Sequence, residues 1–122
     1  MRIISEPEFH ARLARLLLMT PEMDVVGAVT GPGRSGSVAA VYASHMLGVP
    51  FIPYGSSAPT QLDRLLIIDT ARESGRTLRK AARKYEYANP LVFACFEEPP
   101  RVAFWYEAGK PQRYRHEFRA EA

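Results

Sequence analysis

Apolar residues in this chain recur with two periods, and the alternation between them sets the expected architecture. Phe9, Leu13, Leu16 and Leu17 fall at helical spacing, so a helix is predicted over Glu6 to Met19. Ser5 is placed to cap it, with Pro7 and Glu8 in the first turn. Asp24 to Thr30 reads as a strand, Gly31 to Ser35 as a tight loop, and Gly36 to Leu47 as a helix rich in small residues (Ala39, Ala40, Ala43) that suit close packing on a sheet. Gly48 ends that helix. Val49 to Tyr54 reads as a second strand and Gly55 to Asp63 as a loop of turn formers. Within Arg64 to Asp69, the run Leu65-Leu66-Ile67-Ile68 is apolar on both faces, as a central parallel strand requires. Thr77 to Tyr87 is predicted helical, with Leu78, Ala81, Ala82 and Tyr85 on one stripe. Leu91 to Phe96 is a fourth strand, Pro99 and Pro100 make a turn, and Val102 to Tyr106 is a fifth strand at an edge.

Strand and helix alternate through most of the chain, which implies βαβ crossovers. The expectation is an α/β fold: one domain over residues 1–122, with a mostly parallel five-stranded sheet and helices on both faces. Such sheets bind ligands at the carboxyl ends of their strands. Two loops lie there, at residues 31–36 and 70–77, and both carry glycine.

The second loop carries the more specific chemistry. Asp69 stands at the end of the apolar strand, and Glu73-Ser74-Gly75-Arg76-Thr77 opens a helix. Backbone N–H groups and hydroxyls at a helix start can cradle a phosphate. As ordinary structure, Asp69 would only cap a turn and Ser74-Gly75 would only precede a helix.

The segment Leu65 to Thr77 resembles the PRPP-binding motif of the type I phosphoribosyltransferases: a hydrophobic run, two acids, two mostly apolar positions and a phosphate loop. Leu65 to Ile68 fill the run, Asp69 the first acid and Glu73 to Thr77 the loop. Thr70 replaces the second acid, Glu73 the leading Asp of the loop, and Arg76 its second Gly. Upstream, Val25 to Thr30 followed by Gly31-Pro32-Gly33-Arg34-Ser35-Gly36 looks like the family's first strand and pyrophosphate loop.

The resemblance implies a phosphoribosyltransferase that uses PRPP and a nitrogenous base, with a purine-type base favoured. Asp69 and Glu73 would be its catalytic residues. Gly33, Arg34, Ser35, Thr70, Ser74, Gly75, Arg76, Thr77, Trp105 and Tyr106 would bind substrate. Mg²⁺ would be the cofactor, held mainly by PRPP and not directly by the protein. Ala103-Phe104-Trp105-Tyr106-Glu107 faintly resembles the Phe-Pro-Trp-Glu ending of purine-type members, although packing against the core suits these aromatics as well. The Gly55 to Asp63 interval is short for the family's mobile loop, and little follows Tyr106 to form a base-selecting hood. An open site would favour hydrolysis of PRPP, unless Trp105 to Arg119 of a neighbour covers it in a homodimer. The alternative is a non-catalytic PRPP- or nucleotide-binding regulatory module.

Bulk properties narrow the class. At 122 residues and 47% apolar content the chain can bury one core. No apolar run approaches a membrane span and no signal peptide is evident, so a cytoplasmic protein is expected. The lone Cys95, inside an apolar run, reads as a buried small residue. The net charge is +3, with Arg outnumbering Lys, which suits phosphate recognition and equally a GC-rich genome. The basic, aromatic run Arg113 to Arg119 reads as a solvated tail and not as a nucleic-acid surface. His10, His45 and His116 show no metal-ligand spacing.

Overall fold

The computed structural model describes residues 2–61, 63–72, 75–97 and 102–107, with the side chain of residue 97 left aside. Three parallel strands form the centre: β2 (Val26–Thr30), β3 (Arg64–Arg72) and β4 (Leu91–Glu97), in the order β2-β3-β4. A separate parallel pair joins β1 (Arg2–Ile4) to β5 (Val102–Phe104). Three helices complete the fold: α1 (Glu6–Met19), α2 (Gly33–Leu47) and α3 (Arg76–Lys84).

β3 organises the core because its side chains alternate between two apolar clusters. Leu66 and Ile68 face α1 and α2, packing with Phe9, Leu13, Leu17, Ala39, Ala40 and Ala43. Leu65 and Ile67 face the other way, onto Leu78, Ala81 and Tyr85 of the α3 region. All four apolar residues of the run are buried. Helices therefore lie on both sides of the sheet, as the pattern requires.

The expected single five-stranded sheet is corrected to a three-stranded sheet and a two-stranded one. Val49 to Tyr54 is not a strand; Phe51 makes a lone parallel bridge to Val29. Val29 N–H donates to the Pro50 carbonyl at 2.9 Å and Ile52 N–H donates to the Val29 carbonyl at 2.7 Å. Pro50 and Pro53 flank this contact, and neither has an N–H with which to extend a ladder. β1, which is only three residues long, has no readable period of its own.

Element limits shift in smaller ways. α1 spans the residues expected, with the Ser5 hydroxyl accepting from Glu8 N–H at 3.3 Å. Residues 21–25 form a 3₁₀ turn where the sequence suggested the start of a strand. α2 begins at Gly33 instead of Gly36. α3 ends at Lys84, and a 3₁₀ turn over Glu86–Ala88 follows. β5 stops at Phe104, because residues 105–107 turn: Glu107 N–H donates to the Phe104 carbonyl at 2.8 Å, and Phe104 N–H to Glu107 Oε1 at 3.1 Å. The proposed turn at Pro99 and Pro100 and the tail Arg113 to Arg119 lie outside the described residues.

The segment after Tyr54 is held to the α3 side of the sheet. Gly55 N–H donates to the Tyr85 hydroxyl at 2.7 Å, and that hydroxyl donates to the Ser56 carbonyl at 2.7 Å. Ala58 N–H donates to the Tyr87 hydroxyl at 2.9 Å, and Ala58 is buried in the second cluster. Cys95 is a free, buried thiol, and burial pushes it up to about 12. Among the described residues no helix is long and apolar enough to cross a membrane.

Candidate functional site

The chain turns sharply after β2, and backbone contact dictates which residues can make that turn. A Cβ at Gly31 would stand 2.1 Å from the Gly36 carbonyl oxygen and 2.5 Å from the Ile68 carbonyl oxygen. One at Gly36 would stand 2.7 Å from the Gly31 carbonyl carbon. Only glycine lets this loop fold on itself and press against the end of β3. Arg34 and Ser35 are thereby carried to the carboxyl edge of the sheet.

The loop and the end of β3 line one cavity of about 430 Å³, with Pro32, Gly33, Arg34, Ser35, Val38, Asp69, Tyr106 and Glu107 in its wall. Arg34 is exposed and Asp69 is half-buried. Burial pushes the Asp69 carboxyl up from 3.8 to about 6; hydrogen bonds from the Thr70 backbone and side chain oppose that rise, and the charge of Glu107 adds to it. Thr70 N–H donates to Asp69 Oδ1 at 2.7 Å, and the Thr70 hydroxyl stands 3.5 Å from the same oxygen. Thr70 itself is only 3% exposed, so it supports Asp69 from behind and presents little surface to a ligand.

Tyr106 and Glu107 of the 105–107 turn supply another part of the wall. The hydroxyls of Tyr106 and Ser35 are 2.7 Å apart. The Tyr106 ring stacks on Phe104 at 5.8 Å, which fixes its direction. Its phenol is raised by burial; hydrogen bonding with Ser35 and Thr70 opposes this, and the charges of Glu107 and Asp69 add to it. Trp105, expected at the site, packs instead against Phe9 (5.6 Å) and Tyr42 (6.4 Å) and does not line the cavity. Its ring is large and apolar, and α1 offers it a matching surface.

Of the second loop, Glu73 and Ser74 lie outside the described residues. Gly75 caps α3 with φ +80°, a left-handed conformation that side chains resist. Arg76 and Thr77 are exposed in the first turn of that helix, and none of these three lines the described cavity. The Arg79 guanidinium folds back over Gly75, with Nη1 2.9 Å from where a Cβ would stand.

Pro32, Val38 and Glu107 are the wall residues that the sequence left unassigned, and Glu107 is the charged one among them. It ends the aromatic run already singled out, so a signal was present. What the sequence lacked was the turn, closed by Phe104 N–H donating to Glu107 Oε1, that brings the residue to the wall.

No family model matches the sequence, and no curated protein is significantly similar to it. Solved structures are similar in fold. A Helicobacter pylori xanthine-guanine-hypoxanthine phosphoribosyltransferase superposes with a TM-score of 0.72 at 14% identity, over 94% of this chain and 98% of that one. A purine phosphoribosyltransferase from Pyrococcus horikoshii gives 0.62 at 17% identity, over 86% and 94% of the two chains. A hypothetical protein from Neisseria gonorrhoeae with bound ppGpp gives 0.67 at 12% identity, over 99% and 98%. The chain therefore has the type I phosphoribosyltransferase fold.

Proposed function

We propose that this protein is a phosphoribosyltransferase that takes PRPP and a purine-type base. The observation that carries the reading is the convergence of the Arg34 loop and Asp69 on one cavity at the carboxyl ends of β2 and β3. In this reading the N–H groups of residues 33–35, at the start of α2, and the Arg34 guanidinium receive the diphosphate. Asp69 accepts hydrogen bonds from ribose hydroxyls and faces the positive charge that develops on the ring. Glu73 acts on the base nitrogen, and the loop Ser74-Gly75-Arg76-Thr77 holds the 5-phosphate. Tyr106 closes the side of the site.

Mg²⁺ suits this site as an ion carried in by the diphosphate. Among the described residues no three His, Cys, Asp or Glu side chains come together. When bound, the ion offsets charge on the leaving diphosphate; the chain's own residues orient the ribose and hold the anion.

A second reading is favoured by one comparison: the similar Neisseria gonorrhoeae protein holds ppGpp. A non-catalytic module that binds a guanosine polyphosphate or PRPP would use the same cavity. Thr70 in place of an acid suits binding as well as turnover.

The test is a coupled assay for nucleotide and ribose 5-phosphate with PRPP, Mg²⁺ and a panel of purines, alongside calorimetry with ppGpp and a mass measurement in solution. Nucleotide formation is expected, with a dimer reducing hydrolysis. Binding of PRPP or ppGpp without turnover would establish the second reading. Absence of both would reject the two.

A further inference from the structure

We propose that Tyr106 is a positioning residue for the anion site at the start of α2: its hydroxyl keeps the Ser35 hydroxyl off the helix backbone, so that the Ser35 proton serves the bound oxyanion. The inference rests on the functional reading above, in which this end of α2 receives the diphosphate. Ser35 touches the ligand, and Tyr106 acts through Ser35.

α2 carries three serines, and their hydroxyls are used differently. Ser37 Oγ donates to the Gly33 carbonyl, four residues back, at 2.8 Å. Ser44 Oγ donates to the Val41 carbonyl, three residues back, at 2.9 Å. Such back-bonding is the ordinary use of a serine proton inside a helix. Ser35 stands in the first turn, and its hydroxyl meets Tyr106 Oη at 2.7 Å instead. Both residues line the cavity.

Tyr106 is itself held in place. Its ring stacks on Phe104 at 5.8 Å and meets Trp105 edge-on at 5.0 Å. The turn that carries it is closed twice, by Glu107 N–H donating to the Phe104 carbonyl and by Phe104 N–H donating to Glu107 Oε1. The phenol is thus a fixed point for a serine hydroxyl that would otherwise rotate freely.

The start of α2 has a use for such a donor. Its N-cap residue is Pro32, and no side chain among the described residues caps the first turn. The N–H groups of residues 33–35 therefore have no partner within the helix, whereas Gly36 N–H already donates to the Pro32 carbonyl at 3.0 Å. Each hydroxyl has one proton to give. With an oxyanion bound, Tyr106 donates to Ser35 Oγ, and Ser35 donates to the ligand. A hydroxyl that accepts one hydrogen bond is polarised to donate the next. Without the phenol, the Ser35 hydroxyl is free to turn to the helix backbone, as those of Ser37 and Ser44 do, and the anion loses a donor.

The experiment is a double-mutant cycle read by isothermal titration of the full chain with inorganic pyrophosphate, using wild type, Tyr106→Phe, Ser35→Ala and the double variant. Tyr106→Phe keeps the ring and removes only the hydroxyl. Each single variant is expected to weaken binding about three- to tenfold. The double variant is expected to lie within twofold of Ser35→Ala, because Tyr106 has nothing left to position. A purely structural role would weaken binding in both backgrounds. Overturning this inference alone would be an effect of Tyr106→Phe that persists beside Ser35→Ala, or pyrophosphate affinity in Tyr106→Phe that is within twofold of wild type or tighter. Failure of wild type to bind pyrophosphate overturns the functional reading and this inference with it. If Tyr106→Phe does not fold, Tyr106→Leu carries the same cycle with the same criteria.

Discussion

Two connecting segments flank this sheet, and they are held in opposite ways. Loop 31–36 is fixed by backbone against backbone, with Gly31, Gly36 and Ile68 in contact that no side chain could enter. The 54–58 segment is fixed by side chains, with the Tyr85 and Tyr87 hydroxyls gripping three backbone groups. The first loop places Gly33, Arg34 and Ser35 in the wall of a cavity. The second spends its groups on internal bonds and buries Ala58 in the core. The segment after Tyr54 is thus a cover for the α3 side of the sheet, and Tyr106 and Glu107 supply part of the cavity's wall instead.

The contrast breaks most severely at Gly31. Gly31→Val is expected to cost more than about 4 kcal/mol, in the range of the largest single substitutions, because the obstructing atoms are backbone. Urea denaturation of the variant should find little or no folded protein. A fold retained with less than about 1 kcal/mol lost would show that the loop can open.

Asp69 ranks next, and its effect has the opposite sign. The folded protein holds its proton more tightly than the unfolded chain, up to about 6 against 3.8. That preference stabilises the fold fully below pH 3.8 and is lost as pH rises through 6. At about 1.4 kcal/mol per pH unit, ionisation at pH 8 costs up to about 3 kcal/mol. Asp69→Asn should therefore be the more stable protein at pH 8, with the advantage gone below pH 4, while ligand binding falls. Parallel pH dependence in the two proteins would contradict the burial of this carboxyl.

Tyr85→Phe tests the second loop. It leaves Gly55 N–H and the Ser56 carbonyl without their shared partner, at about 1–3 kcal/mol. Denaturation should register that loss while KM for PRPP stays within twofold. A large change in KM would mean that the segment participates in the site after all. The smallest effect is expected at Ser5→Ala, about 1 kcal/mol from a lost helix cap, with activity unchanged.

These outcomes bear on what the sequence could reveal. α1 was legible because a cap, a first-turn Pro and a regular apolar stripe all agree, and the same consistency marks β3. Pro50 and Pro53 carried a legible warning against a strand that the surrounding Val, Phe and Ile obscured. Arg34 and Asp69 could be nominated because the fold rule points to the carboxyl side of the sheet, although Arg34 lies in the first turn of α2 and Asp69 lies within β3, which runs on to Arg72. The pairing of β1 with β5 could not be read, since three-residue strands have no period and their partners are about 100 residues apart. Nor could the Ser35–Tyr106 contact, which depends on a turn after β5 that only tertiary packing selects. Trp105 shows the same limit: aromatic chemistry suited a ligand, and the surface of α1 claimed the ring.

The pairing of β1 with β5 has a consequence in time. Ile3 meets Ala103, and Trp105 N–H donates to the Ile4 carbonyl at 2.9 Å. β1 thus waits until about 100 further residues have been made before it finds its neighbour. Until then Tyr106 and Glu107 have no anchored turn to stand on, so the central sheet and its glycine loop can form while the site still lacks a wall. Contacts of such sequence separation form slowly. A nascent chain halted before residue 102 would therefore be a folded core without a finished pocket, and ligand affinity would report the arrival of β5 and the turn after it.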